Sequence, residues 1–181
     1  MGAKALELQS LSTRREAAVP VAFERLFERE YARVVRIAQR VLGDASLAED
    51  VAQEAFMSLY RSHPADAAYA GAWLHAAAAH GALNALRGRK RRTARELADT
   101  AERVDSAIAD PEREAVQAEE RRRVRAALSR IPVKSATVLA LRYSGLSYAE
   151  VAAAAGTKTD QIGTILRRAE DALRKEVMRD G

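Results

Sequence analysis

From Phe23 onward the apolar positions Phe23, Leu26, Phe27, Val34, Ile37, Ala38 and Val41 return at intervals of three and four residues. That spacing lines one face of an α-helix, and Gly43 supplies its stop. Ser46, followed by Glu49 three positions on, has the form of a capping box. A second helix is therefore expected from there to about Arg61, with Leu47, Val51, Ala55 and Leu59 as its buried stripe and His63-Pro64 as its end. The loop SHPADAAYAGA leads to a third helix, from about Ala72 to Arg87.

Between Arg95 and Glu120 no long apolar stripe survives. Nine acids (Glu96, Asp99, Glu102, Asp105, Asp110, Glu112, Glu114, Glu119, Glu120) face two bases (Arg103, Arg113). This reads as a linker grading into a helix, with Asp110 as N-cap and Pro111 as first helical residue. Periodicity then resumes: Val124, Leu128 and Ile131 mark one helix, Val138 and Leu141 a second, and two more follow.

The pattern predicts an all-α protein of two small helical domains joined by a flexible linker. Residues 1–20, patchy in periodicity and ending at Pro20, form a mobile leader. A three-helix-type domain spans 21–92, an acidic linker 93–118, and a four-helix domain 119–178. Because the acidic stretch offers little apolar surface, the two domains are expected to move independently.

Composition narrows the function classes. The 181-residue chain is rich in Ala, Leu, Arg and Glu, and no β-branched alternation is sustained. Thirty basic against 25 acidic residues give a net charge of +5, which points to a polyanionic partner. Five of the cations stand within six positions, RGRKRR at 87–92, more than a helix C-terminus needs, so phosphate contact is favoured over mere solvation. With no cysteine there are no disulfides or thiolate metal sites. His63, His75 and His80 lack ligand spacing, so neither metal nor cofactor is expected. No apolar run is long enough for a membrane span and no signal-peptide core is present, which fits a cytoplasmic protein. Without a nucleophile triad, a phosphate-cradling loop or a nucleotide fingerprint, nothing speaks for an enzyme.

The sharpest local geometry lies near the C-terminus. Ser147 and Glu150 form a second capping box, followed by Ala152, Gly156 and Ile162 at the spacing of a helix-turn-helix. A small residue at 152 lets two helices approach, glycine at 156 takes the positive φ of the turn, and Ile162 plugs the second helix into the core. That helix buries Ile162, Leu166, Ala169 and Leu173, leaving Lys158, Thr159, Gln161, Thr164, Arg167 and Arg168 to face a DNA groove. An ordinary helical hairpin is the alternative, and the capped entry, turn glycine and basic outer face together favour DNA binding.

Two blocks carry a family resemblance. ARVVRIAQRVLGDASLAEDVAQEAFMSLYR, with Glu49, Asp50, Gln53, Glu54 and Phe56, resembles regions 2.1 to 2.2 of the extracytoplasmic-function group of the sigma-70 family. WLHAAAAHGALNALRGRKRR, opened by Trp73 and Leu74, is similar to regions 2.3 and 2.4. The resemblance covers about residues 22 to 175 and implies an RNA polymerase sigma factor. It implies that Glu49, Asp50, Gln53 and Glu54 grip the β′ clamp helices of core polymerase, with the β flap as a second contact. Tyr69, His80, Asn84, Arg87, Arg89, Lys90, Arg91 and Arg92 would serve the promoter minus-10 element. Lys158, Thr159, Gln161, Thr164, Arg167 and Arg168 would serve the minus-35 element, with an anti-sigma factor as a candidate regulator. The chain departs from the family at Ala79-His80 and Asn84, where Arg-Asn and Asp are usual, and at Gly163, Thr164 and Ile165, where Lys-Ser-Arg is common.

Taken alone, residues Asp50, Gln53 and Glu54 form a polar helix face that solvent would also explain. Trp73 is expected to fill the core, and Tyr69 either stacks on an unpaired base or packs in its loop. A stand-alone helix-turn-helix regulator would account for residues 120 to 175 and leave the Asp50 to Phe56 block unexplained. A protein-binding scaffold would account for the helices and leave the basic C-terminal unit unexplained.

Overall fold

A computed structural model describes residues 20–96 and 111–179. Among them lie seven α-helices and no strand: α1 (Val21–Leu42), α2 (Ala45–Ser62), α3 (Ala70–Glu96), α4 (Pro111–Arg130), α5 (Val133–Tyr143), α6 (Tyr148–Ala155) and α7 (Thr159–Met178). The expected leader, Pro20 apart, and the middle of the expected linker, 97–110, lie outside the described residues.

Leu26, Val34, Ile37, Ala38 and Val41 are the buried face of α1, as their spacing requires. Gly43 ends the helix with φ 69° and sends its N–H to the Gln39 carbonyl, a conformation that costs other residues about 1 kcal/mol or more. Phe23 and Phe27 stand at the edge of the stripe: Phe27 stacks on Tyr31 at 4.6 Å and leans on Phe56 at 4.9 Å, joining α1 to α2 through a cluster of rings.

Three features of the helices differ from the reading of the sequence. Asp44, not Ser46, caps α2: immediately after the Gly43 turn its backbone is extended and its carboxylate accepts the Leu47 N–H at 3.0 Å. The buried stripe of α2 is correspondingly rotated to Ala48, Ala52, Ala55, Phe56 and Leu59, leaving Leu47 and Val51 only partly covered. The third difference is α3, which runs through the basic stretch to Glu96 because Arg, Lys, Ala and Glu are good helix formers and nothing in RGRKRRTARE except Gly88 opposes them. Pro111 opens α4, where its missing N–H costs nothing.

The two halves pack on each other. Besides α1 and α2, helix α3 meets α4, α5 and α6, and α1 reaches α5. Buried apolar side chains from Leu26 to Ala169 form one continuous cluster. The acidity of the connecting stretch had suggested independence, but the docking surface comes from the helices on either side of it. Alanine dominates α3, where Ala78, Ala79 and Ala82 are fully buried; such small side chains let helices approach closely.

Candidate partner and nucleic-acid interfaces

Helix α2 turns its apolar stripe inward, so spacings of three and four residues put Glu49, Asp50, Gln53 and Glu54 outward, and all four are exposed. Asp50 and Glu54 rim a groove between α2 and α3 whose walls are Leu47, Val51, Trp73 and Ala77. Trp73 is partly buried, packed against the core on one side and lining this groove on the other, and its ring sits 4.5 Å from that of His63. Glu54 also holds Arg61 at 3.0 Å, an exposed pair of small energetic weight. The surface combines an apolar trough with carboxylates at its edge, which suits a partner helix with apolar anchors and flanking cations.

The candidates for the minus-10 element lie along and before α3. Tyr69 is half exposed in the loop, its hydroxyl 3.5 Å from Nδ1 of His63 and its ring edge-on to that imidazole, so its free face points outward. His80, Asn84 and Arg89 are exposed, and Arg89 lies 3.5 Å from Asp44. Lys90, Arg91 and Arg92 continue the helix. Arg87 is different, since its guanidinium donates to the carbonyls of Ser129 at 3.1 Å and Ile131 at 2.9 Å. These carbonyls close the C-terminal end of α4, where helical acceptors lack partners of their own. In this docked arrangement Arg87 clips the halves together and is not available to phosphate.

The helix-turn-helix has the geometry its residues announce. Ser147 accepts the Glu150 N–H at 3.3 Å, and Glu150 takes the Ser147 N–H at 2.7 Å and its hydroxyl at 2.8 Å. These bonds hold the Glu150 carboxyl below its usual range. Gly156 adopts φ 61° and returns its N–H to Ala152. Ile162 and Ala169 are fully buried, Leu166 nearly so and Leu173 partly. The six polar residues of the opposite face, Lys158, Thr159, Gln161, Thr164, Arg167 and Arg168, are all exposed, and Thr157 donates to Gln161 at 2.9 Å.

Two contacts between distant segments had no sequence signal. His75 and Glu30 are both buried and meet at 2.9 Å, with Arg29 on the second oxygen of Glu30 at 2.9 Å. Burial, helped by the nearby Arg33 charge, lowers the pKa of His75 despite the opposing bond and charge of Glu30. Burial would raise Glu30, and its bonds to Arg29 and His75 outweigh that and hold it low. Nearby, Arg33 reaches across to Glu150 at 2.7 Å. Positions 45 residues apart or more share no local periodicity, so only the fold reveals them. Among the described residues no group of His, Asp and Glu is arranged to hold a metal ion, and no helix is long and apolar enough to cross a membrane.

Known proteins resemble this arrangement. Residues 26–92 match the sigma-70 region 2 family. The chain is 32% identical over 157 residues to the ECF RNA polymerase sigma factor SigK of Mycobacterium ulcerans, covering 84% of this chain and 82% of that one. It is 32% identical over 165 residues to the RNA polymerase sigma-H factor of Pseudomonas aeruginosa, covering 85% of each. With the ECF RNA polymerase sigma factor SigE of Mycolicibacterium smegmatis it shares 30% over 162 residues, 88% of this chain and 62% of that longer relative. Among solved structures, CnrH in complex with the cytosolic domain of CnrY superposes with a TM-score of 0.52 at 20% identity over 98% of each chain. RpoE of Bartonella quintana, in complex with the anti-sigma factor NepR, gives 0.50 at 20% over 88% of this chain and 98% of that one, so the fold is shared. A capped helix-turn-helix, an acidic-rimmed α2 and this similarity across most of two relatives lead to one conclusion: the chain belongs to the extracytoplasmic-function group of the sigma-70 family of RNA polymerase sigma factors.

Proposed function

We propose that the chain binds core RNA polymerase through α2 and directs it to promoters through α3 and α7, leaving all catalysis to the polymerase and working in the cytoplasm. The observation that carries this reading is the outward α2 face, where Glu49, Asp50, Gln53 and Glu54 are exposed beside the Leu47, Val51, Trp73 groove. A stand-alone regulator would have no use for that face. On this reading the β′ clamp helices lie along α2 and the β flap meets the second half. Tyr69, His80, Asn84, Arg89, Lys90, Arg91 and Arg92 serve the minus-10 element, joined by Arg87 once it leaves the Ser129 and Ile131 carbonyls, and the outer face of α7 serves the minus-35 element. That a sigma factor of this fold, RpoE, is solved with the anti-sigma factor NepR supports an anti-sigma protein as a regulator here.

The test is copurification with core polymerase. Asp50 and Gln53 are exposed, so Asp50→Ala with Gln53→Ala should change stability by only about 0.5 kcal/mol. Losing charge-assisted contacts at an interface costs about 2 to 5 kcal/mol, or roughly thirtyfold and more in affinity. The double variant should therefore melt like the parent and lose core binding. Near-normal binding would favour the stand-alone regulator.

A further inference from the structure

Where the end of α1 meets the second half, a groove of about 520 Å³ opens, lined by Arg40 and Val41 of the first half and by Arg121, Val124, Arg125, Leu139 and Tyr143 of the second, among others. Its volume lies within the range of small-molecule sites, about 300 to 1,000 Å³. The wall of the groove is mixed in chemistry, with a cationic part and an aromatic part. In the first, Arg125 lies over Gly43 so closely that a Cβ at position 43 would stand 2.6 Å from its Nη1. In the second, Tyr143 is more than half exposed, its ring anchored by a hydrogen bond from its hydroxyl to Glu170 at 3.0 Å.

The charges of the cationic part are not balanced. Arg89 is paired with Asp44, and Arg122 with Glu119. Arg121 donates to the neutral Gln117, and Arg125 has neither an ion pair nor a hydrogen bond among the described residues. Among the described residues Glu120 is the one acid on the groove wall, against Arg40, Arg121 and Arg125. Burial and then repulsion from Arg121, Arg89 and Arg122 push the Arg125 guanidinium below its usual value. A half-buried guanidinium with cationic neighbours and no ion-pair partner among the described residues is a costly arrangement that a bound polyanion would relieve.

We propose that this groove binds a small phosphorylated ligand of the nucleotide class, with phosphates on Arg121 and Arg125 and a planar ring against Val124, Leu139 and Tyr143. Arginine forks suit phosphate oxygens, and an aromatic face with aliphatic neighbours suits a base. A duplex is the weaker fit, because it presents its phosphates on a broad convex rod and the Arg125 head is recessed over Gly43. Since the groove has walls from both halves, such a ligand would bind the docked arrangement and hold it closed; its effect on transcription rests on the sigma-factor reading, and the site itself does not.

The experiment is calorimetric titration of the full chain at low salt with ATP and, separately, with inorganic triphosphate. Both should bind at one site per chain. Arg121→Ala with Arg125→Ala should weaken both by on the order of a hundredfold, since hydrogen bonds to charged groups are the strong ones. Arg125→Lys, which keeps the charge and loses the fork, should fall in between. Tyr143→Ala should weaken ATP roughly fivefold or more and leave triphosphate unchanged. Arg167→Ala with Arg168→Ala, on the outer face of α7, should alter neither. Absence of saturable binding by the parent chain overturns the proposal, and so does equal loss in the Arg167 and Arg168 variant. A duplex that displaces ATP and itself depends on Arg121 and Arg125 would reassign the cluster to DNA. Because no polymerase is present, a chain that binds ATP but fails to copurify with core enzyme loses the proposed function and keeps the site.

Discussion

Arg33 on α1 and Glu150 on α6 meet at 2.7 Å across the two halves of the molecule. The same carboxylate closes the capping box of the helix-turn-helix with Ser147, so one side chain both starts that unit and ties it to the first half. The two roles can be separated by mutation. Glu150→Gln keeps a side chain able to accept at the cap and removes the charge, whereas Glu150→Ala removes both. The alanine variant should lose about 1 kcal/mol more than the glutamine variant in urea unfolding. A double-mutant cycle with Arg33→Ala should give a coupling of no more than about 1 kcal/mol, because both side chains are about a third exposed.

His75 and Glu30 predict an acid-sensitive fold. Burial holds His75 below its ordinary value near 6.5. The unfolded chain therefore takes up the proton at higher pH than the folded one, and stability is lost as pH falls through about 6.5 toward the folded pKa. Glu30 has the opposite kind of shift, held below 4.5 by Arg29 and His75, and its contribution is lost only at lower pH, below 4.5. Melting temperature should accordingly fall between pH 7 and 5. His75→Gln, which can still donate to Glu30 and does not titrate, should flatten that fall; an unchanged slope would place the sensitivity elsewhere.

What was legible in the sequence was what local spacing encodes. The 3.6-residue stripe of α1, the Gly43 stop, the Ser147-Glu150 box and the Ala152, Gly156, Ile162 turn all appear in place. So does the outward placement of Glu49, Asp50, Gln53 and Glu54. Local rules failed where two signals competed within a turn: Asp44 lies two residues before Ser46, and the Gly43 geometry selects it. They were silent on contacts between distant segments. Arg87 sits in a basic run that reads as phosphate-binding, and only the packing of α3 on α4 shows that its donors are spent on Ser129 and Ile131.

Thr137 carries a local defect. It is 3% exposed on α5, and its hydroxyl has no hydrogen-bond partner. An unpaired buried hydroxyl costs about 1 to 3 kcal/mol by mutational measures. Thr137→Val keeps the shape and removes the polar atom, so it should raise the urea midpoint by the equivalent of about 1 kcal/mol with an unchanged slope. A loss of stability would mean that the hydroxyl has a partner in solution.

Gly156 offers a test of the turn itself. Nothing lies within 4 Å of a Cβ placed there, so Gly156→Ala meets no clash and its cost comes from φ 61° alone. A left-handed alanine costs about 1 to 2 kcal/mol. The variant should lose that much stability, and duplex binding measured well below its melting temperature should weaken little, because Lys158 to Arg168 keep their helix.

The docked arrangement sets the largest expectation. Promoter elements centred near minus 10 and minus 35 lie about 25 base pairs apart, or ~85 Å at ~3.4 Å per base pair. A compact chain of this length has a radius of gyration of only ~16 Å. On the sigma-factor reading one docked molecule cannot reach both elements, so the contacts that join the halves must break before initiation. Arg87 is the clearest of these, with two hydrogen bonds to carbonyls at the C-terminal end of α4, those of Ser129 and Ile131, and it also lies in the segment proposed to meet the minus-10 element. Breaking the clip and occupying DNA would then draw on the same guanidinium, which couples opening to promoter binding. Dyes placed on exposed Arg36 and Lys175 positions through cysteine substitution should report high transfer in the free chain and low transfer with core polymerase and promoter. Arg87→Ala should shift the free chain toward low transfer while weakening minus-10 binding, and Arg33→Ala should produce the first effect without the second. High transfer that persists in the promoter complex would show that the halves stay docked and would remove the geometric basis for two-element recognition.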